Sequence, residues 1–385
     1  MKVLFLIDSL KGYGAEKSIV QIALHLEEVT PIFIHLYKGD KLKSSLDKKG
    51  IKVYSMELDA EYSFKDALNS ITPIIEGEKP EIIHSTLFRA DMVARKLKNV
   101  FPHIVLVGSL VSNSYGINRY KQLSPISRIK LFSTQLRDRM TASKVDFFVC
   151  NSKAIKKSNI KALGIPGNNV KVIYRGRCFD DYLPTAESVS LLKKELNLDG
   201  HTVFLNVSRL HKGKGQLDLL KSFKVLNTQN PKLILLIAGE GSFRVELEDL
   251  INSLGLENNV FLLGYREDIP ELLAISDYFV FTSYFEGLPG ALIEAIISKT
   301  PSIVSDIAEN RECFVENGAL FYKSGNILEL SKKMEEALLM NNWQEKVDAS
   351  YKYAEENFDI AKVSLQYENF YKEIISKSEK LDENI

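Results

Sequence analysis

The sequence predicts an α/β protein made of two doubly wound parallel-sheet domains in tandem. Three observations carry this expectation. Short β-branched apolar runs alternate with amphipathic segments, the pattern of strands covered by helices on both faces. The series runs twice, with a change of pattern between residues 175 and 199. The chain of 385 residues holds two to three domains at about 150 residues each.

The first series reads as strands at Val3–Ile7, Pro31–Leu36, Ile51–Met56, Glu81–His84, Ile104–Val107, Phe147–Cys150 and Val170–Tyr174, with a helix over Ala15–Glu27. The second reads as strands at Thr202–Val207, Leu233–Ala238, Val260–Leu263, Tyr278–Thr282 and Ser302–Val304, with Ala319–Tyr322 a weaker sixth. Helices are expected at Gly215–Asn227, Arg244–Ser253 and Ala291–Ser298, and the pattern after Asn326 is helical. The domains are drawn at 1–178 and 179–356, with a closing segment, 357–385, whose helix packs back on the first domain. Ligands of such sheets sit beyond the carboxyl ends of the strands, so two domains facing a central cleft would place a small-molecule site there.

Composition narrows the function classes. Apolar residues make up 45% and charged residues 26%, the profile of a globular protein rather than a disordered tail. Fifty basic residues balance fifty acidic ones, so the basic excess of a nucleic-acid binder is missing. The balance hides an asymmetry: 29 basic against 17 acidic residues through Asp180, and 21 against 33 beyond it. This suits either a plain soluble surface or a basic half that meets an anionic surface. Cys150, Cys178 and Cys313 have no metal-ligand spacing and fit a reducing cytoplasm. The five-residue apolar run Val3–Ile7 near the N-terminus is short for a signal-peptide core, and no run reaches the ~18 residues of a membrane span.

Three segments carry chemistry. Ser283-Tyr-Phe-Glu-Gly-Leu-Pro-Gly-Ala-Leu-Ile-Glu294 follows an expected strand and opens an expected helix. Gly287 and Gly290 let backbone N–H groups approach a ligand closely, and a helix N-terminus favours an anion such as a diphosphate. Glu286 and Glu294 would repel that anion, so sugar hydroxyls are their natural partners. In the second segment, Leu205–Gln216, Arg209 falls just after a strand and Lys214 sits among glycines, two cations placed to clamp phosphates. Alone it also reads as a solvated basic loop; beside the glutamate segment it reads as a nucleotide-diphosphate site. The third segment, Asp8–Glu16, is neither GxGxxG nor a P-loop, because Lys17 stands where either motif needs glycine. It suits close approach to a ligand and a plain tight turn equally.

Together these segments resemble the GT-B glycosyltransferases, within them the large retaining group called family 4, over nearly the whole chain. The matching pieces are Gly12-Tyr-Gly-Ala-Glu16, Val172-Ile-Tyr-Arg-Gly176, Val207-Ser-Arg209 with Lys214-Gly215, Ile237-Ala-Gly-Glu-Gly241, Phe261-Leu-Leu-Gly264, Phe285-Glu-Gly287 through Glu294, and Ser305-Asp306 with Glu312. The resemblance implies two Rossmann-like domains, an acceptor-binding one followed by a nucleotide-sugar donor domain. It implies a hexosyltransferase-type enzyme, retaining and metal-independent, with no cofactor beyond a UDP- or GDP-sugar as donor substrate. Arg209 and Lys214 would neutralise the donor diphosphate, Glu294 would hold the ribose, and Glu286 would grip the donor sugar. Backbone groups around Gly287, Leu288, Pro289, Gly290, Ala291 and Leu292 would take the distal phosphate. Gly12, Gly14, Ala15, Glu16, His84 and Ser109 would line the acceptor side or the cleft. The acceptor would be a glycan or a lipid-linked glycan, in cell-surface polysaccharide or glycoconjugate synthesis. One departure stands out. Many relatives carry a His after the fifth strand, and here Val107–Tyr115 has none, leaving Ser109, Ser112 or Asn113 to fill that space. A 2-epimerase of the same fold and a non-catalytic nucleotide binder fit the same motifs.

Residues 119–144 add a partner expectation. Arg119, Lys121, Arg128, Lys130, Arg137, Arg139 and Lys144 stand against the single acid Asp138, and Ile126, Ile129, Phe132, Leu136 and Met140 share one helical face. A basic amphipathic helix of this kind lies on an anionic membrane surface, which would make a cytoplasmic protein peripheral on the inner face of the cell membrane. The same pattern also fits a helix packing its apolar face on the core.

Overall fold

The structure, a computed structural model, describes residues 1–58 and 64–382. The chain divides into two compact units: Met1–Gly176 with Phe358–Ile385, and Arg177–Asn357. Both are doubly wound α/β sheets, Rossmann-like in each case. No helix of the described residues is long and apolar enough to cross a membrane.

The first unit holds strands β1 (Lys2–Ile7), β2 (Thr30–His35), β3 (Lys52–Ser55), β4 (Ile82–Thr86), β5 (Val105–Leu110), β6 (Phe147–Cys150) and β7 (Val170–Val172). They pair in parallel in the order β3-β2-β1-β4-β5-β6-β7. The direction of winding reverses between β1 and β4, so the loops after these two strands open a crevice. Strand β5 runs three residues past the Val107 end expected from sequence. Gly108 and Ser109 are poor strand formers, but pairing of Ser109 with Val149 and of Leu110 with Cys150 holds them in the ladder. Strand β7 instead stops before Ile173 and Tyr174.

The helix Ile360–Asp382 belongs to this first unit. Its buried Glu368 accepts the backbone N–H groups of Glu27 and Glu28 at 2.5 and 2.7 Å, and Ser364 Oγ donates to Ile22 O at 3.3 Å. Val363, Phe370, Tyr371 and Ile374 are buried along the same helix. At helical spacing these residues make the apolar stripe that docks it.

The expected single helix over 119–144 is broken. Ile117–Lys121 forms one short helix, a new one runs over Pro125–Thr141, and Ala142–Lys144 closes with a 3-10 turn. Pro125 is the cause: it disfavours helical backbone in the residue before it and suits the first helical position. Ser124 caps the new start, its Oγ accepting the Ser127 N–H at 3.4 Å.

The second unit holds β8 (Thr202–Val207), β9 (Leu233–Ala238), β10 (Val260–Gly264), β11 (Tyr278–Phe281), β12 (Ser302–Ser305) and β13 (Leu320–Tyr322). All pairings are parallel, in the order β10-β9-β8-β11-β12-β13. Its core gathers Phe204, Leu219, Phe223, Leu235, Val280 and Ile303. The reversal here lies between β8 and β11, the two strands that precede the basic loop and the glutamate loop.

Candidate active site

In the second unit the two loops at the reversal are tied together by backbone chemistry. After β8 the chain makes a 3-10 turn over Lys212–Lys214, capped by His211, whose Nδ1 accepts the Gly213 N–H at 3.0 Å. Gly215 follows with φ +70°, and a Cβ there would lie 2.2 Å from the carbonyl oxygen of Thr282. Only glycine permits that approach, and it brings the turn against the end of β11. Thr282 Oγ1 then donates to Lys214 O at 2.7 Å, and the Tyr284 N–H to Gly213 O at 3.0 Å. The result is an ion pair across the two loops, Lys214 Nζ to Glu286 Oε1 at 2.5 Å. The side chains are 18% and 12% exposed, so solvent reaches the pair only in part. An ammonium has three donors and a carboxylate two acceptor oxygens, so each partner keeps capacity for a ligand.

Glu294 sits in a second charge cluster. The helix Gly290–Ile297 starts after Pro289, and the N–H groups of Leu292 and Ile293 turn back to Pro289 O at 3.2 and 3.4 Å. The amides of Gly290 and Ala291 are the ones that helical geometry leaves without an intrahelical acceptor. Leu288 is 1% exposed, so its side chain belongs to the core and it offers a ligand its backbone alone. One turn on, Glu294 Oε1 accepts Arg177 Nε at 2.9 Å, and the Tyr182 hydroxyl bonds to both groups. Burial works against the Arg177 charge, but Glu294 and Tyr182 outweigh it and its pKa is raised. Burial, then the Glu294 charge, pushes the Tyr182 hydroxyl far up, so it stays protonated. Arg177 and Tyr182 were not legible in the sequence as site residues. They lie more than 100 positions before Glu294 in a stretch read as linker, and only the fold joins them.

Arg209 is exposed on the loop after β8. Its backbone is braced from beneath by polar groups that the sequence reading also passed over. Asn206 Nδ2 donates to Val280 O at 2.7 Å, Ser208 Oγ to Asn206 Oδ1 at 2.7 Å, and Gln216 Nε2 to both Ser208 Oγ and Arg209 O at 2.9 and 2.8 Å. A polar Asn near the end of an otherwise apolar strand was the one signal that pointed here. The end of β12 joins as well, with Ser305 Oγ donating to Ser283 O at 2.7 Å and Asn310 Nδ2 to Ser305 O at 2.9 Å.

In the first unit three of the expected site residues, Glu16, His84 and Ser109, turn inward. Glu16 is 2% exposed. Its carboxylate accepts Ser9 Oγ at 2.6 Å and the N–H groups of Gly12 and Tyr13 at 2.7 and 2.9 Å. The carboxylate thus builds the loop, in which Gly12 has φ +95°. Gly14 opens the following helix. His84 is fully buried between Tyr371 OH at 2.6 Å and Ser109 Oγ at 2.8 Å, and burial lowers its pKa to about 3. It is a neutral imidazole with both nitrogens engaged. Ala15 and Ser109 line a small pocket with Thr86, Asn151, Tyr174 and Arg175. The structure therefore brings Arg209, Lys214, Glu286, Glu294 and Gly287–Leu292 together in one unit, and Gly12–Glu16, His84 and Ser109 in the other.

Residues 190–357 match the family described as glycosyl transferases group 1. Over 104 residues the chain is 43% identical to the uncharacterized glycosyltransferase MJ1059 of Methanocaldococcus jannaschii, covering 27% of this chain and 26% of that one. Over 256 residues it is 26% identical to the UDP-Gal:alpha-D-GlcNAc-diphosphoundecaprenol alpha-1,3-galactosyltransferase of Escherichia coli, covering 65% and 64%. The matches thus span about a quarter and somewhat under two thirds of these relatives' lengths. Among solved structures, Anabaena Alr3699/HepE in complex with UDP superposes with a TM-score of 0.81 at 22% identity, over 97% of this chain and all of that one. That likeness shows the fold.

Proposed function

We propose that the chain, whose residues 190–357 match the glycosyl transferases group 1 family and whose fold is GT-B, moves a sugar from a nucleotide-diphosphate sugar to a hydroxyl of a glycan or lipid-linked acceptor, with retention at the transferred carbon. The observation that carries this reading is the Lys214–Glu286 pair, 2.5 Å apart where the winding of the second sheet reverses. It sets a phosphate-binding cation beside a hydroxyl-binding carboxylate, the two groups a sugar diphosphate needs.

In this mechanism Arg209 and Lys214 take the charge that grows on the leaving diphosphate, aided by the Gly290 and Ala291 amides at the helix N-terminus. They supply the positive charge that a divalent cation would otherwise bring. Glu294, held by Arg177 and Tyr182, grips the ribose hydroxyls. Glu286 grips the donor sugar near the carbon where positive charge develops. The acceptor hydroxyl attacks from the face the diphosphate leaves, and a leaving phosphate oxygen takes its proton. A uridine nucleotide is the first donor to test, since the Anabaena neighbour holds UDP. A diphosphoundecaprenol-linked acceptor is supported by the Escherichia coli relative. The acceptor side is assigned to the first unit, at the pocket that includes Ala15 and Ser109.

A screen of UDP- and GDP-sugars, read by release of the nucleoside diphosphate with and without acceptor, tests the proposal. Release that depends on an acceptor hydroxyl supports transfer. Tight nucleotide binding with no turnover of any sugar nucleotide would make the protein a binder, and inversion at C2 of the nucleotide-linked sugar an epimerase.

A further inference from the structure

We propose that the Pro125–Thr141 helix docks the chain on the surface of an anionic lipid bilayer. The helix is inverted relative to an ordinary surface helix. Its inner face buries one apolar side chain, Leu131, and is otherwise polar: Asp138 pairs with Arg95 Nη1 at 2.7 Å and accepts Tyr115 OH at 2.7 Å, and Gln135 Nε2 donates to Ala162 O at 3.2 Å. Its outer face is apolar. Ile126 is 70% exposed, Ile129 70%, Phe132 61%, Leu136 48% and Met140 74%. At 3.6 residues per turn these five span about 120° of arc, with the small Ser133 among them. A stripe of this kind on a soluble surface marks a site that meets something apolar. The alternative reading from sequence, an apolar face packed on the core, is set aside by these exposures.

Charge selects the occupant. Lys130 and Arg137 border one edge of the stripe, Arg128 and Arg139 the other, and all four are exposed. The only acid between residues 117 and 144, Asp138, is buried against Arg95 and so adds no negative charge to that face. An apolar stripe between two basic rails matches acyl chains beneath anionic headgroups. A second copy of the chain would set these four cations against four more. The exposed Ile117 and Lys121 of the preceding short helix extend the same chemistry. Arg128 is braced, with Nε donating to Tyr120 O and Leu123 O at 2.8 and 3.0 Å, which ties that helix to this one.

Co-sedimentation of the full chain with vesicles tests the inference. Phosphatidylcholine vesicles containing phosphatidylglycerol should pellet the protein, phosphatidylcholine alone should pellet far less, and added salt should release it. The triple variant Ile129→Ser, Phe132→Ser, Met140→Ser and the double variant Lys130→Glu, Arg137→Glu should each lower partitioning on the order of 100-fold. None of these side chains is buried, so thermal unfolding followed by circular dichroism should match the wild type. Equal recovery on neutral and anionic vesicles, or variants that pellet like the wild type, would overturn the proposal. So would a dimer in sedimentation velocity that Phe132→Ser dissolves without any vesicle recovery, which would assign the stripe to a second copy.

Discussion

The two units wind the same kind of sheet and place acidic side chains in comparable loops, yet they use the acids differently. After β1, Glu16 is spent on its own loop, accepting two backbone N–H groups and the Ser9 hydroxyl. In the middle of β4, His84 is locked between Tyr371 and Ser109. After β8 and β11, Glu286 meets a cation on a flexible stem, and Glu294 meets a guanidinium and a phenol. A buried carboxylate saturated by backbone donors is a structural part. One paired with a lysine that solvent still reaches in part keeps lone pairs and donors for a third group. The first loop's acid is therefore a structural part, and the second loop's acid retains capacity for a ligand.

Four experiments test that contrast. The largest effect is expected at Glu286. Glu286→Gln keeps the shape and one acceptor but loses the charge that, under the proposed function, faces the developing positive carbon, so kcat should fall by about 100-fold or more. Donor affinity should change much less, whereas Glu294→Gln should act mainly on KM. Steady-state kinetics separate the two, and wild-type turnover by Glu286→Gln would return this residue to a loop role.

Next come the cations. Arg209→Ala and Lys214→Ala should each weaken nucleoside diphosphate binding by about 1.5–3 kcal/mol, the worth of a charge-assisted contact. Calorimetry checks this, and unchanged affinity in both would empty the proposed diphosphate site.

In the first unit the prediction inverts. Glu16→Ala strands two backbone donors and a hydroxyl, and should cost about 1–3 kcal/mol of stability. Nucleoside diphosphate affinity should be unaffected. A loss of affinity without a loss of stability would show that Glu16 binds rather than builds.

The last test concerns pH. His84 has a pKa lowered by burial to about 3, against 6.5 for the free side chain. The unfolded chain takes up its proton first as pH falls, so the stability carried by neutral His84 is full above pH 6.5 and lost on acidification. The slope is about 1.4 kcal/mol per pH unit per proton. Asp8 and Asp91 oppose it, because burial raises their pKa values to about 6 and about 7 and the fold binds their protons better. Denaturant titrations of wild type and His84→Gln between pH 6 and 4 isolate the His84 part. The wild type should lose more stability across that window, and equal losses would mean that the imidazole is charged in the fold.

The contrast between the two loops also marks how far the residues could be read. Glu286, Glu294, Arg209 and Lys214 were visible because glycines, a proline and charges coincide at strand–helix junctions, a local pattern. The same local pattern at Gly12–Glu16 gave no sign that Glu16 points into its own loop. Residue type and spacing do not say which way a carboxylate turns; neighbouring donors do.

What the sequence determined by itself was periodic or local. The β-branched runs made parallel strands because buried strands need apolar side chains on both faces. Pro125 broke the 119–144 segment because the restriction it imposes acts on its nearest neighbour. What the tertiary structure alone decided was long-range pairing. It closed Lys214 on Glu286 across 72 positions and Arg177 on Glu294 across 117. It also turned Asp138 inward to Arg95, which left Ile126, Ile129, Phe132, Leu136 and Met140 facing out. An amphipathic helix has two faces, and its own sequence does not state which one the core receives. Here the core receives the face that carries Leu131 and Asp138, and Asp138 meets the buried Arg95 there, since a charge in the interior needs a partner.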